Sequence, residues 1–161
     1  MNNPEKFVSR LSIYAYNDDA ELTANIIRWA TSPDSFDCEI LNIGANSTLK
    51  SVAVDALLNS FRILTIKCLQ FDEIYISPED FEKLLTMPHL VELENNGGSS
   101  SDYGGSDYTY STLTDDHYKV LAASPHAKKL RSKTLDREVI SDETKVEIEN
   151  ALPNLKSFNV F

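Results

Sequence analysis

A chain of 161 residues, 42% hydrophobic and 25% charged, has apolar side chain enough for one buried core rather than two. Fifteen basic residues against twenty-five acidic ones leave a net charge of −10, which repels the phosphate backbone and argues against nucleic acid as a partner. No apolar run approaches the roughly 18 residues of a membrane span, and the opening MNNPEKFVSR lacks the apolar segment of a secretory signal.

Cys38 and Cys68 are too few for a disulfide scaffold, and each lies in an apolar run where cysteine behaves as a small hydrophobe. The expected setting is therefore the cytoplasm or nucleus, with both thiols reduced.

Along the chain, strand-like and helix-like segments alternate. Val8-Ser9-Arg10-Leu11-Ser12-Ile13 reads as a first strand. Asn17-Asp18-Asp19 then caps a helix whose apolar face is Leu22, Ile26 and Trp29, and Pro33 stops it. The run Cys38 to Ile43 is a second strand, and Asn46-Ser47 caps a helix carrying Leu49, Val52, Ala56 and Leu57. Phe61 to Ile66 is read as a third strand. Ser77-Pro78-Glu79-Asp80 caps the next helix, with Phe81, Leu84 and Leu85 inward and Pro88 behind it.

A fourth strand ends at Leu93. After it, residues 97–112 form an insertion rich in Gly, Ser and Asp and carrying Tyr103, Tyr108 and Tyr110. Such a composition means either a flexible solvated loop or an adaptable binding loop. Thr114-Asp115-Asp116 caps a helix with Tyr118, Leu121 and Ala122 inward, followed by Pro125 and a strand to Leu130. Ser141-Asp142-Glu143 caps the last helix, with Ile148, Ala151 and Leu152, and Pro153 precedes a final strand to Phe158.

The frame Pro-x-apolar-x-x-apolar recurs at Pro88, Pro125 and Pro153. Taking Leu11, Leu41, Leu64, Leu93, Leu130 and Phe158 as equivalent anchors gives steps of 30, 23, 29, 37 and 28 residues, in or beside the range of leucine-rich and related repeats. The long step holds the insertion. The expected fold is an α/β, short leucine-rich-repeat-like β/α solenoid with a parallel sheet and helices on one side, one domain over 1–161 of about five units. At Leu90-x-x-Leu93 and Leu155-x-x-Phe158 the chain resembles irregular leucine-rich repeats of the ribonuclease-inhibitor type. It is also similar to the C-terminal recognition regions of F-box proteins. That resemblance implies protein recognition by the strand face and, for F-box members, substrate delivery to a ubiquitin ligase.

Alternation along parallel strands predicts an exposed face. Its residues are Arg10, Ser12 and Tyr14; Ile40, Asn42 and Gly44; Ile63, Thr65 and Lys67; Glu92, Glu94 and Asn96; Lys129, Arg131 and Lys133; and Ser157, Asn159 and Phe161. Within it Tyr14, Asn42, Lys67, Glu92, Glu94, Lys129, Arg131 and Lys133 are the candidate partner-binding residues, with Tyr103, Tyr108 and Tyr110 from the insertion. The acidic strand beside the basic one is either a cross-strand salt-bridge ladder or a mixed recognition strip.

A protein or peptide partner is expected, with no nucleic acid and no membrane. Solenoid ends need a polar cap, so the expectation is either a fragment of a longer recognition protein or a larger complex or oligomer that covers the ends. No catalytic constellation stands out: His-x-x-x-His, Cys-x-x-Cys, a phosphate loop and Gly-x-Ser-x-Gly are all missing from the sequence. His89 and His126 read as turn residues, and most acidic pairs sit at helix starts as caps. Neither enzyme chemistry, a metal nor a cofactor is expected. The alternative is a small α/β enzyme or regulatory subunit whose cleft gathers Asp115, His117 and Tyr118.

Overall fold

The computed structural model describes residues 6–96, 98–100, 108–110, 112–135, 140–155 and 158–160. Strand β1 (Phe7–Tyr14) runs into a turn in which Asn17 takes a left-handed φ of 53°, a conformation that asparagine tolerates. Asp18 then caps helix α1 (Asp19–Thr31), its carboxylate accepting the Glu21 N–H at 2.9 Å. Leu22, Ile26 and Trp29 are buried on its inner face as expected. The chain returns as β2 (Asp37–Thr48), α2 (Ser51–Leu58), a 3-10 turn at Phe61–Leu64, β3 (Cys68–Tyr75), α3 (Pro78–Leu85) and β4 (Glu92–Asn96). Beyond the short strands β5 (Gly98–Ser100) and β6 (Tyr108–Tyr110) come α4 (Asp115–Ala123), a 3-10 turn at Pro125–Lys129, β7 (Ser132–Leu135), α5 (Asp142–Ala151) and β8 (Phe158–Val160).

Six strands form one sheet in the order β1-β2-β3-β4-β7-β8, and every neighbouring pair is parallel. The expected α/β class with a parallel sheet is therefore observed. Each crossover returns to the adjacent strand, and each helix packs on the next, α1 on α2 through to α4 on α5. Leu41, Ile43, Leu69, Phe71 and Leu93 from the strands share one apolar cluster with Leu22, Ile26, Val54, Phe81 and Leu121 from the helices. Burying each such side chain contributes roughly 1.5–3 kcal/mol, so this row sets the phase of β2, β3 and β4. Among the described strands β2, with 12 residues, is the longest.

Three expected elements move. Phe61 to Leu64 is a 3-10 turn and not a strand, because the Ser60 hydroxyl accepts the Arg62 N–H at 3.3 Å and curls the chain before β3 begins at Cys68. Pro125 to Lys129 does the same behind Ser124, whose hydroxyl accepts the His126 N–H, so β7 begins at Ser132. Asn46 and Ser47 cap no helix. They lie in β2, where Asn46 has a φ of 51° and the register with β3 shifts between Gly44 and Ser47. Helix α2 starts later, after Lys50, which rotates its face: Ala53 and Val54 are buried and Val52 is exposed. The insertion is more ordered than a plain loop at its base, where β5 and β6 pair antiparallel.

Arg62 is the buried hinge between the first two strand–helix units. At 2% exposure its guanidinium contacts Asp37 at 2.5 Å and donates to the carbonyls of Trp29 at 3.1 Å and Ser32 at 2.6 Å, satisfying the end of α1.

Candidate functional site

Strand register lays three polar rows across the sheet, alternating with the apolar row Leu11, Leu41, Leu69 and Leu93. Arg10, Ile40, Cys68, Glu92 and Ser132 form the first; Ser12, Asn42, Gln70, Glu94, Thr134 and Asn159 the second; Tyr14, Gly44, Asp72 and Asn96 the third. The sequence-derived residues Tyr14, Asn42, Glu92 and Glu94 are thus brought onto one face. Asn42 Nδ2 donates to the Tyr14 hydroxyl at 2.7 Å, and that hydroxyl donates to Asp72 Oδ2 at 3.2 Å. Partial burial and the Asp72 carboxylate raise the Tyr14 phenol above its ordinary value of 10.0. Gln70 Nε2 donates to Glu94, while Asn42 and Gln70 are themselves buried.

The basic residues go elsewhere. Because both 3-10 turns delay the following strand, Lys67 lies just before β3, Lys129 closes a turn, and Arg131 lies just before β7. Lys133 pairs in register with Leu93, in the apolar phase and not in the polar one. No ion pair joins Glu92 or Glu94 to Lys129 or Arg131, so the expected salt-bridge ladder is not formed by these four side chains.

Lys67, Lys129 and Arg131 instead line one groove of about 550 Å3 along the N-terminal edge of the sheet, with Phe7, Leu64 and Val91 as its apolar wall. Lys67 is paired with Glu39 at 2.9 Å. Lys129 donates to the Met87 carbonyl, and burial lowers its pKa below the ordinary 10.5. Arg131 is exposed and has no ion-pair partner among the described residues. Phe7 and Leu64 are 47% and 56% exposed, apolar surface at the rim of a cationic groove.

Asp115, His117 and Tyr118 lie in the first turn of α4. His117 is buried; its Nδ1 accepts the Thr114 N–H at 3.0 Å, which leaves the proton on Nε2 to donate to the Ile76 carbonyl at 2.7 Å. Asp115 accepts from Ser141 N at 3.0 Å and Thr144 Oγ1 at 3.1 Å, tying α4 to α5. Tyr118 is fully buried. Of the insertion tyrosines, Tyr103 lies outside the described residues, and Tyr108 and Tyr110 are described only as backbone of β6.

One grouping has no counterpart in the linear motifs. Cys68 Sγ and carboxylate oxygens of Glu92 and Glu94 lie within 4.8 Å of one another on the polar face. Both cysteines are free and buried, but only Cys38 belongs to the apolar cluster. Burial, with the Glu94 and Glu92 carboxylates, pushes the Cys68 thiol up to about 12. Register makes Cys68 the partner of Glu92; spacing in sequence carries no such signal.

No protein-family model matches the chain, and no curated protein is significantly similar to it. Among the described residues, no helix is long and apolar enough to cross a membrane.

Proposed function

We propose that the chain is a non-catalytic protein-interaction module, a short β/α solenoid of leucine-rich-repeat type with its helices on one side. Its edge groove and adjoining strand face would receive an acidic, apolar-anchored segment of a partner protein. The register row through Leu11, Leu41, Leu69, Leu93, Lys133 and Phe158 supports the solenoid, with steps of 30, 28, 24, 40 and 25 residues. So does a left-handed residue near the C-terminal end of each of the first three strands, Asn17 just after β1, Asn46 within β2 and Glu73 within β3.

The observation that carries the recognition reading is the convergence of Lys67, Lys129 and Arg131 with Phe7, Leu64 and Val91 in one groove. On a chain of net charge −10 this is a local cationic spot, and long-range attraction there favours carboxylates. Arginine is among the side chains that dominate protein hot spots, and Arg131 stands exposed in this groove. A role in substrate recognition for a ubiquitin ligase rests on the resemblance to F-box recognition regions alone. A cytoplasmic or nuclear setting is in keeping with two free thiols.

Peptide display against the full chain is the direct test. Selected peptides should carry Asp or Glu flanking an aromatic or aliphatic anchor. Their affinity should fall at least about tenfold with Lys129→Glu/Arg131→Glu, a loss typical of hot-spot positions, and fall further as salt rises. Selected peptides that bind the charge-reversed chain equally well would sink the reading.

A further inference from the structure

We propose that Cys68, Glu92 and Glu94 form a binding site for a thiophilic divalent cation of the zinc class on the polar face of the sheet. Three observations lead there. The three potential ligand atoms already lie within 4.8 Å of one another, held by two adjacent parallel strands and not by flexible loops. Cys68 is only 3% exposed yet stands outside the apolar cluster, with its sulfur beside the two carboxylates and no hydrogen-bond partner among the described residues. A second buried polar atom on the same face, Asn42 Oδ1, also lacks a partner, so the face holds more polar capacity than the protein itself uses.

The donor set selects the metal. A thiolate excludes calcium and magnesium, which take oxygen ligands, while the two carboxylates suit zinc, cobalt(II) or cadmium better than copper(I). Tetrahedral zinc, with bonds of about 2.3 Å to sulfur and 2.0 Å to oxygen, needs sulfur–oxygen separations of roughly 3.5 Å. The side chains must therefore close by up to about 1.3 Å from separations within 4.8 Å, within the reach of Glu92, which is exposed. Glu94 is steadied by Gln70, the kind of outer partner that orients a metal ligand.

Binding breaks the Cys68 S–H bond, forms an S–metal bond, and releases the proton to solvent. Nothing is oxidised or reduced. The positive charge compensates two carboxylates held close together; Arg10, near enough to act on the Cys68 thiol, is the opposing cation. Three protein ligands leave one tetrahedral position for water.

Titration of the full chain with cobalt(II) and cadmium chlorides reads the site through thiolate-to-metal charge-transfer absorption, and calorimetry with zinc chloride gives stoichiometry. One equivalent should bind with a charge-transfer band that Cys68→Ser abolishes and Cys38→Ser leaves intact. Glu92→Gln should weaken binding at least tenfold. Because Glu92 is exposed, Glu92→Gln keeps the test open if Cys68→Ser fails to fold. No band in the unmodified chain, a band that survives Cys68→Ser, or unchanged affinity in Glu92→Gln would each overturn the site. The edge groove is separate, so failure here leaves the recognition reading standing.

Discussion

The ring of Tyr14 packs against Gly44 on the neighbouring strand, so close that a methyl group there would sit 2.4 Å and 2.6 Å from two ring carbons and 3.0 Å from the Asp72 carbonyl oxygen. The missing side chain is what lets the tyrosine cross β2 and reach Asp72 on β3. Gly44→Ala should cost about 1–3 kcal/mol by overpacking. Adding Tyr14→Ala should recover part of that cost, and a double-mutant cycle in urea should show coupling of about 0.5–3 kcal/mol. Strict additivity would mean that the two residues do not share this space.

Arg62 and Asp37 form a pair in which both side chains are below 10% exposed. Arg62→Ala leaves a buried carboxylate and the Trp29 and Ser32 carbonyls without their donor, and should cost about 3–5 kcal/mol by urea denaturation. Replacing both partners together, Arg62→Met with Asp37→Leu, should be markedly milder, since no charge is then stranded. A double variant as unstable as Arg62→Ala would refute this account.

Asp115 supplies the pH dependence of the α4–α5 contact. The Ser141 N–H holds its carboxyl down from the ordinary 3.8 to about 2, aided by Lys119 and Thr144. A folded pKa below the unfolded one stabilises above the unfolded value, and that stability is lost as pH falls through the folded value. Urea midpoints of the unmodified chain should therefore drop between about pH 4 and pH 2. In Asp115→Asn the drop over that window should be smaller, and an identical profile would remove Asp115 from the explanation.

The antiparallel pair β5–β6 makes its ladder with itself and not with the six-strand sheet. Replacing residues 98–110 by a short Gly-Ser linker should keep one cooperative unfolding transition, with a stability change under about 1 kcal/mol, because loop-closure cost depends weakly on length. Loss of cooperativity would show that the hairpin belongs to the core.

Much of the architecture was legible because capping and proline stops are local chemistry. Ser77 and Ser141 accept helix N–H groups where their patterns indicate, while at Asn17-Asp18-Asp19 the cap is the Asp18 carboxylate and not the asparagine amide, and the apolar anchors Leu41 and Leu93 are buried. The 3-10 turns were not legible, since Ser60 and Ser124 look like any helix cap while the chain behind them curls only once. That delay displaced Lys67, Lys129 and Arg131 from the face to the edge, and it put Lys133 out of phase. Arg62 gave no signal because an isolated arginine in an apolar run finds its partner 25 residues away. The meeting of Cys68 with Glu92 and Glu94 depends on strand register alone, which no spacing encodes.

The lengths of the strands carry a consequence for motion. Among the described residues β1, β2 and β3 hold 8, 12 and 8 residues, and β2 and β3 are each paired on both sides while β8 is an edge. Amide protons of β2 and β3 should exchange with deuterated solvent more slowly than those of the edge strand β8, so opening starts at that edge and reaches the paired centre last.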